Sequence, residues 1–220
     1  MLELLNIDCM EYMAGLEDNA FDLAIVDPPY GIGASNTFAG EKRKSGKGVA
    51  MKTEFKKKDW DLKIPDEQYF IELRRVCENQ IIWGANYMKH FLPPSMGWIV
   101  WDKNNGTTKF SDSEVAFTSF NRALRIYRYT WNGMLQGDMK NKEFRIHPTQ
   151  KPVRLYDWLL RNYAKEGDKI LDTHLGSGSS AIAAHYLGFD FVGCELDKHY
   201  FEASQKRIDK ETRQIAFKYA

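Results

Sequence analysis

The sequence predicts a doubly wound α/β fold with a mostly parallel sheet, and three observations predict it. Apolar runs of strand length recur at Leu2–Ile7, Phe21–Val26, Gln80–Trp83, Lys169–Leu171 and Phe189–Cys194. Most of the stretches between them carry apolar residues at helical spacing, so strand and helix alternate. Two of the strands end on a chain-breaking turn, Asp27-Pro28-Pro29-Tyr30 and Leu175-Gly176-Ser177-Gly178-Ser179. In an open parallel sheet such turns face the crevice beyond the carboxyl ends of the strands, where ligands bind.

In chain order, the strand Leu2–Ile7 ends at Asp8, and Cys9–Leu16 has helical spacing through Met10, Met13 and Ala14. Phe21–Val26 reads as a buried parallel strand that two prolines forbid from continuing. Gly31–Lys58, rich in glycine and lysine with no apolar period, reads as a mobile loop. Pro65 suits the first turn of a helix whose buried stripe is Phe70, Leu73 and Cys77. After the strand Gln80–Trp83, the segments Trp98–Trp101 and Val115–Phe120 look like a strand pair around the polar loop Asp102–Asp112, and Asn121–Ile146 is irregular, basic and aromatic. Pro152 starts a helix through Leu155, Leu159 and Tyr163 that stops near Gly167. The strand Lys169–Leu171, the glycine turn and the helix Ala181–Leu187 follow. The strand Phe189–Cys194 then ends at Glu195, and Asp197 caps a last helix carrying Tyr200, Phe201 and Ile208.

With 220 residues, 43% hydrophobic and 14% aromatic, residues 1–220 form one expected domain. No apolar run reaches the roughly 18 residues of a membrane span, and Met1–Asp8 lacks the basic start and apolar core of a signal peptide, so a soluble, cytoplasmic protein without membrane contact is expected. Cys9, Cys77 and Cys194 are too scattered for a disulfide framework or a Cys-x-x-Cys site, and His147, His174 and His185 lack zinc spacing, so no metal is expected. Charge is uneven: Gly31–Lys58 holds eight Lys/Arg, among them Lys42, Arg43, Lys44 and Lys47, against Glu41 and Glu54.

The two turns suggest a chemistry. The Asp27 carboxylate and the Pro28 carbonyl can only accept hydrogen bonds, so together they suit the two hydrogens of one exocyclic amine, while Tyr30 offers a stacking face. Gly176 and Gly178 permit a tight turn and close approach to a ligand, and Glu195 is placed to accept from two ribose hydroxyls. That arrangement binds a nucleoside without saying which, since Gly176–Ala181 also fits the G-x-G-x-x-A dinucleotide fingerprint. A phosphate loop at Gly40–Gly48 is excluded. One residue too many separates Gly40 from Gly46, and Gly48 stands where Ser or Thr must follow Lys47.

The combination of Asp27-Pro28-Pro29-Tyr30, His147-Pro-Thr-Gln-Lys-Pro152 and Asp172-Thr-His-Leu-Gly-Ser-Gly-Ser179 resembles the S-adenosylmethionine-dependent DNA amino-methyltransferases. With the target-amine motif ahead of the glycine turn, the order looks like the circularly permuted β group of that Rossmann-like fold. The resemblance covers nearly the whole chain. It implies that Asp27, Pro28, Pro29 and Tyr30 hold and stack a flipped base. It implies that Asp172, Leu175, Gly176, Ser177, Gly178 and Ser179 line the methionine part of the cofactor, that Glu195 beside Leu196 binds its ribose, and that Asp8 beside Cys9 meets its adenine. His147, Thr149 and Lys151 would close over the cofactor, with Lys151 on its carboxylate. The chain departs from the family at Thr173 and His174, where Pro and Phe are usual, and at Ser179, where Thr is usual.

Asp rather than Ser at position 27 favours adenine N6 over cytosine N4 within this family, and the chain has no Pro-Cys dipeptide of the carbon-5 methyltransferases. A cytosine-N4 enzyme and a catalytically retired DNA-binding protein are the alternatives, and the intact Asp27–Tyr30 argues against the second. Double-stranded DNA is the expected partner. Its contacts are expected from Lys42, Arg43, Lys44 and Lys47, and from Arg122, Arg125, Arg128 and Tyr129 in the short recognition insert 121–146. A homodimer or a companion restriction endonuclease is the expected protein partner.

Overall fold

The structure, a computed structural model, describes residues 1–34, 58–106, 111–132 and 135–213. The loop 31–58 and its Lys42, Arg43, Lys44 and Lys47 therefore lie almost wholly outside the described residues. In chain order the elements are β1 (Leu2–Leu5), α1 (Cys9–Ala14), β2 (Phe21–Val26), α2 (Glu67–Val76) and β3 (Cys77–Trp83). Then come β4 (Trp98–Asp102), β5 (Ser113–Thr118), β6 (Arg125–Arg128), and the short pair β7 (Trp131–Asn132) and β8 (Leu135–Gln136). The chain continues with α3 (Val153–Tyr163), β9 (Lys169–Asp172), α4 (Ser179–Leu187), β10 (Asp190–Cys194) and α5 (Lys198–Arg213).

Eight strands form one sheet in the order β1-β10-β9-β2-β3-β5-β4-β6, in which only β5 runs against its neighbours. Burial on both faces explains the near-continuous apolar character of β2. Leu23 and Ile25 point into a core with α3 and α4, through Leu155, Leu159, Ala181 and Ile182. Ala24 and Val26 point the other way, into a core with Met13 of α1 and Phe70 and Leu73 of α2. Helices on both faces of a mostly parallel sheet are the doubly wound architecture that the alternation predicted.

Two expectations need correction. Pro65 precedes the helix it was expected to open: Asp66 is the N-cap, accepting from Tyr69 N at 3.1 Å, and Cys77 already opens β3. Within the supposedly irregular segment 121–146, Arg125–Arg128 is an edge strand paired parallel to β4. Because β5 is reversed, it delivers the chain to the amino end of the sheet, and a short link suffices to start β6. Its sequence, Arg-Ile-Tyr-Arg, hides the strand, since it has charge at both ends and no apolar alternation, as exposed edges often do.

Candidate active site

The chain leaves β9 toward β10 on one side and leaves β2 toward β3 on the other, so the crevice between β9 and β2 is the topological switch point. These strands pair through Leu23 with Ile170 and Ala24 with Leu171, which brings the turn after Asp27 beside the glycine turn after Asp172. Asp61, only 1% exposed, fixes the first turn: its carboxylate accepts from the backbone N–H of Tyr30 (2.7 Å), Gly31 (3.0 Å) and Ala34 (2.6 Å). The Tyr30 ring lies on Gly84, whose φ of +68° and missing Cβ leave it room, because any Cβ there would overlap the ring. Tyr87 stacks on the same ring at 5.2 Å and 19°.

At the foot of Tyr30 sits a network of charges. Asp27 accepts from the Tyr30 hydroxyl at 2.6 Å and pairs with the Lys151 ammonium at 2.5 Å. Lys151 also donates to Glu114 at 3.0 Å and to the Tyr30 hydroxyl at 3.1 Å, and Lys103 pairs with Glu114 from behind. Burial raises the Asp27 carboxyl above its ordinary range against the pull of Lys151. Burial also pushes Glu114 up, but Lys151 and Lys103 overcome it and leave the group at about 2. Burial would depress Lys151, and its two carboxylate partners raise it instead. Lys151, expected on the cofactor carboxylate, is thus committed to Asp27 and Glu114.

The glycine turn carries the other half of the site. Gly176 and Gly178 both have positive φ, 52° and 76°, and Gly178 opens α4. The half-buried Glu195 receives Gly176 N on one oxygen and Asp197 N on the other, each at 2.8 Å, which fixes its carboxylate while leaving lone pairs for a diol. Leu196 beside it is 70% exposed, and Asp8, the N-cap of α1, is exposed past the end of β1 with the half-buried Cys9 next to it. A fixed acceptor pair, a glycine turn and exposed apolar surface suit a nucleoside cofactor. Asp172 is tied to His174 N at 3.0 Å and to the Ser180 hydroxyl at 2.5 Å, and burial raises it to about 7. Ser179 donates to the Lys151 carbonyl at 2.7 Å and lies 3.1 Å from the Ser177 hydroxyl. His147 packs on Tyr200 at 4.3 Å, with Thr149 at 3.1 Å from its Nδ1, and burial lowers it to about 3. His174 meets the edge of Tyr69 at 5.4 Å and hydrogen-bonds the Thr173 hydroxyl at 2.9 Å, so the Thr-His departure builds a polar chain from α2 into the turn.

The expected DNA-binding residues divide. Arg128 and Tyr129 follow the carboxyl end of β6, with Arg128 72% exposed and 3.4 Å from Asp102. Arg122 is bonded to the Asn162 carbonyl at 2.6 Å and lies over the rings of Phe120 and Tyr163. Asn162 is in the last turn of α3 and Lys151 precedes its first, so roughly 16 Å of helix separates Arg122 from the charged network. Arg125, also beside Tyr163, stays with it, so both arginines lie away from the crevice. Sequence reasoning missed Asp61, Gly84, Tyr87, Lys103 and Glu114. Only the reversal of β5, which brings its first residues to the carboxyl end of the sheet, could have pointed to Glu114. Among the described residues no group of His, Cys, Asp and Glu could hold a metal ion, and no helix is long and apolar enough to cross a membrane.

Residues 100–206 match the family model described as DNA methylase, of the N6/N4 type. The chain is 25% identical to the Type II methyltransferase M.HpaI of Haemophilus parainfluenzae, over 93% of this chain and 73% of that one. It is 26% identical to M2.DpnII of Streptococcus pneumoniae, over 94% and 90%. Among solved structures, the M1.HpyAVI–SAM complex superposes with a TM-score of 0.56 at 19% identity, over 95% of this chain and all of that one. The cytosine-N4-specific PvuII DNA methyltransferase gives 0.60 at 11% identity, over 96% and 90%. The fold is that of the Rossmann-like DNA methyltransferases. With the Asp27–Tyr30 turn and the Gly176–Gly178 turn meeting at one switch point, the chain is similar to the N6/N4-type DNA methylases over residues 100–206 and to the Type II methyltransferases over more than nine-tenths of its length.

Proposed function

We propose that residues 1–220 act as one methyltransferase domain that methylates the N6 amine of a flipped-out adenine at a specific site in double-stranded DNA. The observation that carries this reading is the meeting of Asp27–Tyr30 with the Gly176–Gly178 turn and Glu195 across the β2–β9 crevice. S-adenosylmethionine fits as cofactor: Glu195 would hold its ribose, Asp8, Cys9 and Leu196 would flank its adenine, and Leu175–Ser179 with Asp172 would line its methionine part. When bound it supplies a methyl group already activated on a sulfonium. Asp27 and the Pro28 carbonyl draw the two amine hydrogens aside, which aims the nitrogen lone pair out of conjugation and toward the donor. As that nitrogen gains a methyl group it becomes positive, the Asp27 carboxylate balances the charge at the N–H it accepts, and one proton is then released to solvent. Stacking on Tyr30 offsets part of the few kcal/mol, in order of magnitude, that unstacking a base requires.

Incubation with tritiated-methyl S-adenosylmethionine and unmethylated duplex DNA, followed by digestion to nucleosides, should place the label in N6-methyladenine. Label in N4-methylcytosine would replace the base assignment, and none would overturn the activity. Asp27→Ala should abolish transfer while cofactor still binds; substantial remaining activity would remove Asp27 from this role. DNA contact is assigned to the Arg128 side of the insert, so Arg128→Ala should weaken DNA binding and reduce the salt slope by about 1, whereas Arg122→Ala should change neither. Acting on DNA, the protein would work in the cytoplasm, with a second copy or a companion restriction endonuclease as its protein partner.

A further inference from the structure

The Lys151 ammonium has three N–H groups, and Asp27, Glu114 and the Tyr30 hydroxyl accept all three. Asp27 in turn has one donor on each oxygen, Tyr30 on Oδ1 and Lys151 on Oδ2. Each oxygen keeps a second lone pair, so a target amine that reaches this carboxylate shares it with the Lys151 ammonium and lies beside it. The amine and the ammonium are then two donors side by side on one carboxylate, and an ammonium hydrogen can swing from it to a new acceptor within the same pocket.

Adenine brings one. The carbon that bears its N6 amine is bonded to the acceptor N1, and a second acceptor, N7, lies one atom further away on the other edge of the ring. We propose that Lys151 reads the target base: when the amine binds Asp27, Lys151 turns one N–H onto a ring nitrogen beside that amine, and Glu114 is the positioning residue that holds it there. The exchange keeps the number of donors and acceptors equal, so no buried polar group is left without a partner. When that nitrogen is N1 it also selects, because thymine and guanine present an N–H at the corresponding ring position and would set donor against donor. Glu114 has a second use. Lys151 is a positive charge beside an amine that turns positive during transfer, and Glu114 with Asp27 balances Lys151 and Lys103 so that the cluster is neutral overall.

This inference rests on the adenine reading above, and its test separates the two. The affinity of duplexes carrying adenine, 1-deazaadenine or 7-deazaadenine at the target position is measured with a non-reactive cofactor analogue bound. One deaza duplex should bind wild type about tenfold more weakly than adenine. In Lys151→Met that difference should vanish, while cofactor affinity stays within about twofold of wild type. Glu114→Gln should shrink the difference and lower kcat without changing the KM for cofactor, and Glu114→Asp should restore both in part. A deaza difference that persists in Lys151→Met, or one absent from wild type, overturns the proposal. So does a Lys151→Met protein that loses cofactor affinity and keeps the deaza difference, since Lys151 would then serve the cofactor. A wild-type protein that methylates no adenine fails at the underlying reading, and shows it by yielding no product on ordinary DNA.

Discussion

Asp61 is a single side chain on which the geometry of the Asp27–Tyr30 turn depends. Its carboxylate accepts three backbone N–H groups spread over Tyr30 to Ala34, and it is almost fully buried. Removing it leaves those donors unpaired away from water, so Asp61→Ala should lower unfolding stability by about 3 kcal/mol, measured by urea titration, and cut kcat well before it weakens cofactor binding. Asp27, Tyr30, Gly176 and Glu195 were legible in the sequence because their residue types carry the chemistry and each follows its own strand. Asp61 and Glu114 were not. An aspartate in a loop and a glutamate in a strand look like ordinary surface residues until the strand order brings them to the turn.

At the scale of elements, α5 is tied to the glycine turn and to the insert by one side chain. Arg207 donates to the Ser177 carbonyl and the Ser179 hydroxyl, both at 2.9 Å, and pairs with Glu143 at 2.7 Å. Glu143 also accepts from Val153 N at 2.9 Å, in the first turn of α3. Three parts of the site share one half-hidden ion pair. Breaking it from one side strands a charge, so Arg207→Ala should destabilise the fold by about 3–5 kcal/mol, and Arg207→Met with Glu143→Gln by less. Equal losses in denaturant titrations would show that the pair is not coupled. The helices themselves were legible from their apolar stripes, whereas β6 was not. Its pairing with β4 is set by the reversal of β5, which no local pattern in Arg125–Arg128 records.

For the molecule as a whole, three buried groups around the crevice contribute to how stability follows pH. His147 and His174 are lowered by burial from the ordinary 6.5 to about 3 and about 4. The unfolded chain protonates both near pH 6.5 and the folded chain does not, so their contribution is present above that pH and lost as pH falls toward 4. Asp172 behaves in the opposite way. Burial raises it from 3.8 to about 7, so the folded chain keeps a proton that the unfolded chain releases. Its contribution is present below about pH 4 and is lost as pH rises toward 7. Between roughly pH 4.5 and 6 the unfolded chain thus holds two extra protons on the histidines and the folded chain one on Asp172. Each proton is worth about 1.4 kcal/mol per pH unit. Asp172→Asn removes the opposing group, so its stability should climb with pH about 1.4 kcal/mol per unit more steeply than wild type across that window. Urea titrations at several pH values measure both slopes. Parallel lines would mean that Asp172 is already ionised in the folded crevice, and that the glycine turn is built around a charge rather than around a neutral hydrogen-bonded acid.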